Sequence, residues 1–146
     1  MRSGTLPTHQ IAGMGQAFEL AMSNMERDAE YLSTLKSSFF EKVKQHTCVS
    51  INGLIENSVP GIINLTFEGI DGQVLLSALP MLAVSSGSAC NSATVSPSHA
   101  LTAMGVSEQE ALSSLRFSFG KFTTEDEVYF AANKLLEALD KLRPEL

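Results

Sequence analysis

Cys90 stands in the tract Ser85-Ser86-Gly87-Ser88-Ala89-Cys90-Asn91-Ser92-Ala93, where small residues on both sides leave the sulfur uncovered. Nucleophilic work by a thiol needs access and thiolate character together. The tract supplies the access, but no Lys or Arg close in sequence supplies the charge. A reactive nucleophile and an incidental loop cysteine both fit these residues. The local candidate base, His99 after Pro97-Ser98, reads more readily as a solvent-facing helix residue than as a partner of the thiol. Cys48, between Thr47 and Val49, reads as a small buried hydrophobe, and His46 as a residue closing a helix, where the dipole favours an imidazole. Neither cysteine shows C-x-x-C spacing or a His partner, so no metal site is expected. Arg116 interrupts the apolar alternation of Leu115-Arg116-Phe117-Ser118-Phe119 and is the first cation after Lys44. Its planar fork of donors suits a carboxylate or a phosphate, whereas the bland reading is a strand arginine snorkelling to water.

These residues must be positioned by the elements around them. From Thr8 to about Gln45, apolar residues recur at intervals of three and four, including Ile11, Met14, Phe18, Met22, Leu32, Leu35, Phe39 and Val43. That spacing predicts one long helix, with Thr8 as its N-cap. At 1.5 Å per residue it would run roughly 55 Å, whereas a compact domain of this size spans about 40 Å. Its front half therefore needs a partner, unless the helix breaks near Ser23-Asn24. Strands are predicted at Val49 to Asn52, Ile62 to Phe67, Leu82 to Val84 and Leu115 to Phe119. Helices are predicted from Asp71 to Leu79, from Pro97 to Met104, from Glu108 behind a Ser107 cap, and from the Thr124 capping box to Arg143. The fold class this implies is α/β (α+β): a two-layer sandwich, mainly antiparallel, with helices on one face. Residues 1–45 form the N-terminal segment and long helix, and residues 46–146 the sandwich that carries the loop 85–96.

The 146 residues are 44% hydrophobic and 18% charged, which fits one globular domain. The net charge of −6 argues against nucleic acid, because a phosphate-tracking surface needs clustered cations. No apolar run is long enough to span a bilayer. The first residues, Met1 to Pro7, carry no apolar leader, and with only two cysteines a reducing, cytoplasmic setting is expected.

Three stretches, read together, resemble a known family. Arg2-Ser3-Gly4-Thr5-Leu6-Pro7 with His9-Gln10, then Ser85 to Cys90, then Leu115 to Gly120 ahead of Phe122-Thr123-Thr124-Glu125, look like the C-terminal part of pyridoxal-phosphate-dependent cysteine desulfurases of the iron-sulfur-assembly class. The resemblance implies the small C-terminal domain of a fold-type I transferase. It also implies roles. Cys90 would attack the sulfur of a cofactor-bound L-cysteine, become a persulfide and pass sulfur to an acceptor or iron-sulfur scaffold protein while L-alanine leaves. Arg116 would grip the substrate carboxylate. Thr5 would reach the cofactor phosphate of the neighbouring subunit in a homodimer, with Arg2, Ser3 and Gly4 shaping the approach.

The chain also departs from that pattern. Family members carry a large N-terminal domain with the Schiff-base lysine and the ring-stacking His, and none of the six lysines here matches that site. Pyridoxal phosphate is therefore expected in the parent enzyme and not in this chain alone. The tail beyond Arg143-Pro144 is also shorter than the family's. Two other readings stay open at this stage: a cofactor-free persulfide carrier, and a structural module that self-associates through the long helix.

Overall fold

The computed structural model describes residues 4–86 and 96–142. Its first element, α1 (Thr8–Val43), is one uninterrupted helix of 36 residues. Pro7, not Thr8, caps it: the Pro7 carbonyl accepts from the backbone N–H groups of Gln10 and Ile11 at 3.0 and 3.1 Å, and no side chain caps the end. The fixed φ of proline is already close to helical, so the helix starts without a hydroxyl cap. No break occurs at Ser23-Asn24. Both side chains donate to the Leu20 carbonyl, Ser23 Oγ at 3.1 Å and Asn24 Nδ2 at 2.7 Å, so two residues that compete with helix elsewhere are satisfied within it.

A three-stranded antiparallel sheet follows, in the order β1 (Val49–Ile51), β2 (Ile62–Phe67), β3 (Ser114–Ser118). Three short helices, α2 (Gly72–Ala78), α3 (His99–Ala103) and α4 (Glu108–Leu112), and the helix α5 (Glu125–Leu142) complete the elements of the described residues. The caps lie where their residue types suggest. Asp71 accepts from the N–H groups of Gln73 and Val74, Ser107 and Glu110 form a reciprocal capping box, and Thr124 and Glu127 form another.

Alternation along the strands sorts the sheet into two faces. Ile63, Leu65, Phe67, Leu115 and Phe117 point to the core, where they meet Leu35, Phe39 and Val43 of α1 and Val128, Ala132, Leu135 and Leu139 of α5. Phe39 anchors this layer, with its ring centre 4.9 Å from that of Phe117 and 5.4 Å from that of Phe119. Burying each such side chain contributes about 1.5–3 kcal/mol. Gly61 admits the closest approach: the Phe119 N–H donates to its carbonyl at 2.7 Å, and a Cβ there would meet the Phe119 oxygen.

The strand expected over Leu82 to Val84 does not form. The chain is still turning there, with Leu82 N–H bonded to Leu79 O, and only Ser85 reaches β3, as a single antiparallel bridge to Arg116. The front half of α1 projects from the core. Phe18 is 65% exposed and Met22 68%, and Ile11, Met14 and Met25 are exposed beside them.

Candidate functional site

Arg116 lies in the middle of β3 on the sheet face away from α1 and α5. It pairs with Asn64 of β2 in register. Ladder bonds run at Phe67 with Ser113 and at Phe119 with Gly61, so the alternation of an antiparallel pair makes Asn64 and Arg116 a non-hydrogen-bonded pair. The backbone groups of Arg116 therefore turn the other way, towards Ser85. Arg116 N–H donates to Ser85 O at 2.7 Å and Ser85 N–H donates to Arg116 O at 3.2 Å. The Arg116 side chain is exposed, and its guanidinium makes no hydrogen bond or ion pair among the described residues. A fixed backbone carrying an unsatisfied planar cation is equipped to take an anion with two oxygens.

The same face carries a polar cluster that sequence reasoning missed. Asn52 Nδ2 lies 2.7 Å from Asn64 Oδ1, 2.8 Å from Thr66 Oγ1 and 3.1 Å from Ser114 Oγ. Thr66 and Ser114, both buried, share a 2.8 Å hydroxyl contact, and Ser114 Oγ donates to the Glu110 carbonyl of α4 at 2.7 Å. Asn52, Thr66 and Ser114 are far apart in sequence, so no spacing could have announced them. The outward alternation of Asn64 and Thr66 along β2 was the available signal.

Cys90, the expected nucleophile, lies outside the described residues, which end at Ser86 just beyond the Ser85 bridge and resume at Ser96. His99 opens α3 and is exposed, as a solvent-facing helix residue would be. Thr5, exposed ahead of α1, is not brought to Arg116 within one chain. About 40 Å of helix separates the start of α1 from its core contact at Leu35. Cys48 is buried at 2% exposure, as its residue type suggests, but it does have a histidine partner. His46, beyond the helix terminus, places Nδ1 3.1 Å from Cys48 Sγ and Nε2 3.5 Å from Asp140 Oδ1. Among the described residues no group of three or more His, Cys, Asp and Glu side chains is placed to hold a metal. No helix there is long and apolar enough to cross a membrane.

The lysines decide whether these residues could hold pyridoxal phosphate. Lys36 is 3% exposed and donates to Ile55 O, Ser58 Oγ and Val59 O at 3.2, 2.7 and 3.3 Å. Lys42 stands 3.3 Å from the centre of the Tyr129 ring, and this neighbouring ammonium, with Asn133 adding, holds the phenol below its usual pKa. Lys44 and Lys134 pair with Glu41 and Glu137, and Lys121 stacks over Phe122. Lys141 sits on the last turn of α5. None lies on the sheet with Arg116, so the described residues do not by themselves make a pyridoxal-phosphate site. A cavity of about 490 Å³ between Leu82–Val84, Phe117–Phe119 and α5 is mostly apolar; its carboxylate, Glu127, is committed to the Thr124 cap.

The chain belongs to the aminotransferase class-V family, which it matches over residues 1–130. It is similar over nearly its whole length to proteins named cysteine desulfurase IscS: 48% identical to that of Vibrio vulnificus (strain CMCP6) over 142 residues, and 49% to that of Pseudomonas putida over 143. These alignments take in 97% and 98% of this chain, and the chain spans about a third, 35%, of the length of each relative. Among solved structures it superposes on a NifS-like protein with a TM-score of 0.76, at 28% identity, covering 97% of this chain and 36% of that one. A NifS-like protein from Rickettsia africae gives a TM-score of 0.74 at 28% identity, covering 99% and 37%. The mixed fold with a long leading helix is thus that of the NifS-like proteins, in a family whose enzymes depend on pyridoxal phosphate.

Proposed function

We propose that this chain is the sulfur-accepting, small-domain portion of a cysteine desulfurase that acts in a reducing, cytoplasmic setting. In this reading residues 1–45 connect to the portion of the relatives' length that the chain does not span, and residues 46–146 form the domain bearing the loop 85–96. The observation that carries the reading is Arg116. It is a guanidinium with no partner among the described residues, tied through its backbone to Ser85, where the tract containing Cys90 begins, in a chain nearly half identical to cysteine desulfurases.

Four tasks then fall to the chain. Arg116 takes the carboxylate of L-cysteine through two parallel N–H···O bonds, which fixes both position and angle. Cys90, as thiolate, attacks the substrate sulfur: a new S–S bond forms, the C–S bond breaks with its electron pair left on the β-carbon, and that carbon takes a proton, so that the fragment departs as L-alanine. The persulfide sulfur then passes to a sulfur-acceptor protein for iron-sulfur assembly. Thr5, distant from Arg116 along α1, serves the cofactor phosphate of a second copy, which makes a homodimer with the exposed front of α1 at its interface the working assembly. The cofactor, which would supply the electron sink for that C–S cleavage, has its remaining contacts in the part of the enzyme outside this chain's span.

A chimera tests the reading. Residues 1–146 replace the matching third of the Vibrio vulnificus relative, and L-alanine release from L-cysteine is measured. Release that disappears in Cys90→Ser is expected. A folded, cofactor-loaded chimera that releases no L-alanine would contradict it.

A further inference from the structure

We infer that Asn64 is a second ligand for the substrate carboxylate, held in place by Asn52; this rests on the reading of Arg116 given above. On the open face of the sheet, Ile62/Ser118, Asn64/Arg116 and Thr66/Ser114 form a column of cross-strand pairs. By the alternation of the ladder all are non-hydrogen-bonded pairs, whose side chains approach most closely, with Cβ atoms about 4.5–5.5 Å apart. Thr66 and Ser114 are buried and Arg116 is exposed, so Asn64 stands at the border between the closed polar cluster and the open guanidinium.

Its two amide ends face different fates. Oδ1 accepts from Asn52 Nδ2 at 2.7 Å, which fixes the amide, while Nδ2 donates to no described residue. Asn52 is in turn locked by Thr66 and Ser114 at 2.8 and 3.1 Å. An amide whose acceptor is consumed within the protein is left as a donor. Beside a guanidinium fork it adds a neutral N–H without adding charge, and this combination suits a singly charged, planar anion. A phosphate would call for further cations, and the sequence has none between Lys44 and Arg116. Asn64 is thus a substrate-binding residue, and Asn52 a positioning residue that keeps its amide turned.

The test uses the full chain, isotopically labelled, with the Arg116 Nε–H and Asn64 Nδ2 signals followed by NMR. The chain is titrated with L-cysteine, and separately with cysteamine, which lacks the carboxylate. L-Cysteine should move both signals and cysteamine neither. Asn64→Ala should raise the L-cysteine concentration that gives the half-maximal Arg116 shift by about tenfold, the scale of one hydrogen bond to a charged group. Asn64→Asp keeps the shape, sets a carboxylate beside Arg116 and should abolish the response. Asn52→Ala should displace the Asn64 signal before any ligand is added and weaken the titration less than Asn64→Ala does. If Arg116 responds identically in wild type, Asn64→Ala and Asn64→Asp, the assignment of Asn64 is wrong and that of Arg116 stands. If Arg116 does not respond to L-cysteine at all, both are wrong.

Discussion

Arg116 and Ser85 exchange both of their backbone hydrogen bonds, at 2.7 and 3.2 Å, so the residue proposed to seat the substrate and the residue that opens the Cys90 tract form one rigid joint. The guanidinium itself contributes nothing to that joint. Binding and stability should therefore separate at this position. Arg116→Ala should change unfolding free energy by no more than about 0.5 kcal/mol, as at other exposed sites without partners. In the chimera, Arg116→Lys should raise KM for L-cysteine by about tenfold, because a point charge replaces a fork. Denaturant unfolding and steady-state kinetics on the same protein check both halves.

Lys36 is the reverse case, a cation whose worth lies in the fold. Its ammonium group ties α1 to the loop between β1 and β2 through Ile55 O, Ser58 Oγ and Val59 O. Lys36→Met keeps the length and removes the donor, leaving the loop only its own bonds, Ser58 Oγ to Ile55 O at 2.8 Å and Ile62 N–H to Val59 O at 3.2 Å. A loss of about 1–3 kcal/mol is expected, with faster amide exchange at Asn57 and Ile62, whose N–H groups bond within this loop. Unchanged exchange there would show that the loop is held by other contacts.

Much of the architecture was legible because it rests on local rules. The long helix follows from apolar residues at intervals of three and four, and Asp71, Ser107 and Thr124 mark helix starts because a side-chain oxygen near an unsatisfied N–H acts within four residues. What could not be read depends on tertiary neighbours. Leu82 to Val84 has strand-like residues, but the outer edge of β3 offers its paired groups at Arg116, and only Ser85 arrives there. The burial of Lys36 depends on carbonyls some twenty residues on. His46 meets Cys48 only because the chain turns tightly after α1, and Asn52 reaches Ser114 only once the strands have paired. Of the site, Arg116 is visible as a charge in an apolar strand, whereas Asn64 shows only as an outward polar residue of β2, and its pairing with Arg116 needs the strand register.

Glu110 makes one part of the fold respond to acid. The Ser107 hydroxyl first, and its backbone N–H second, hold the Glu110 carboxyl below the ordinary glutamate range. A depressed folded-state pKa stabilises the folded form above the ordinary value and ceases to do so as pH falls through the lowered one. The α4 cap should therefore persist through mildly acidic pH and open only below the usual carboxylate range. In Ser107→Ala the Glu110 titration, followed by carboxyl-carbon NMR, should move up towards that range. A midpoint that does not move would mean that the capping box is not what lowers it.

The exposed front of α1 predicts association between copies. Phe18, Met14 and Met22 present a contiguous apolar strip of a kind that soluble proteins normally cover. Light scattering should give a species larger than the monomer, and Phe18→Glu with Met22→Glu should shift it to monomer without changing the helical signal. A wild-type monomer at all concentrations would oppose the dimeric reading.

The most direct measurement follows the sulfur itself. After a brief exposure of the chimera to L-cysteine, peptide mass mapping without reductant should find the Cys90 peptide heavier by one sulfur atom. The Cys48 peptide should be unchanged, since that thiol is 2% exposed and packed in the core. Sulfur on Cys48 instead, or L-alanine release with no sulfur gained at Cys90, would contradict the assignment of Cys90 as the residue that receives it.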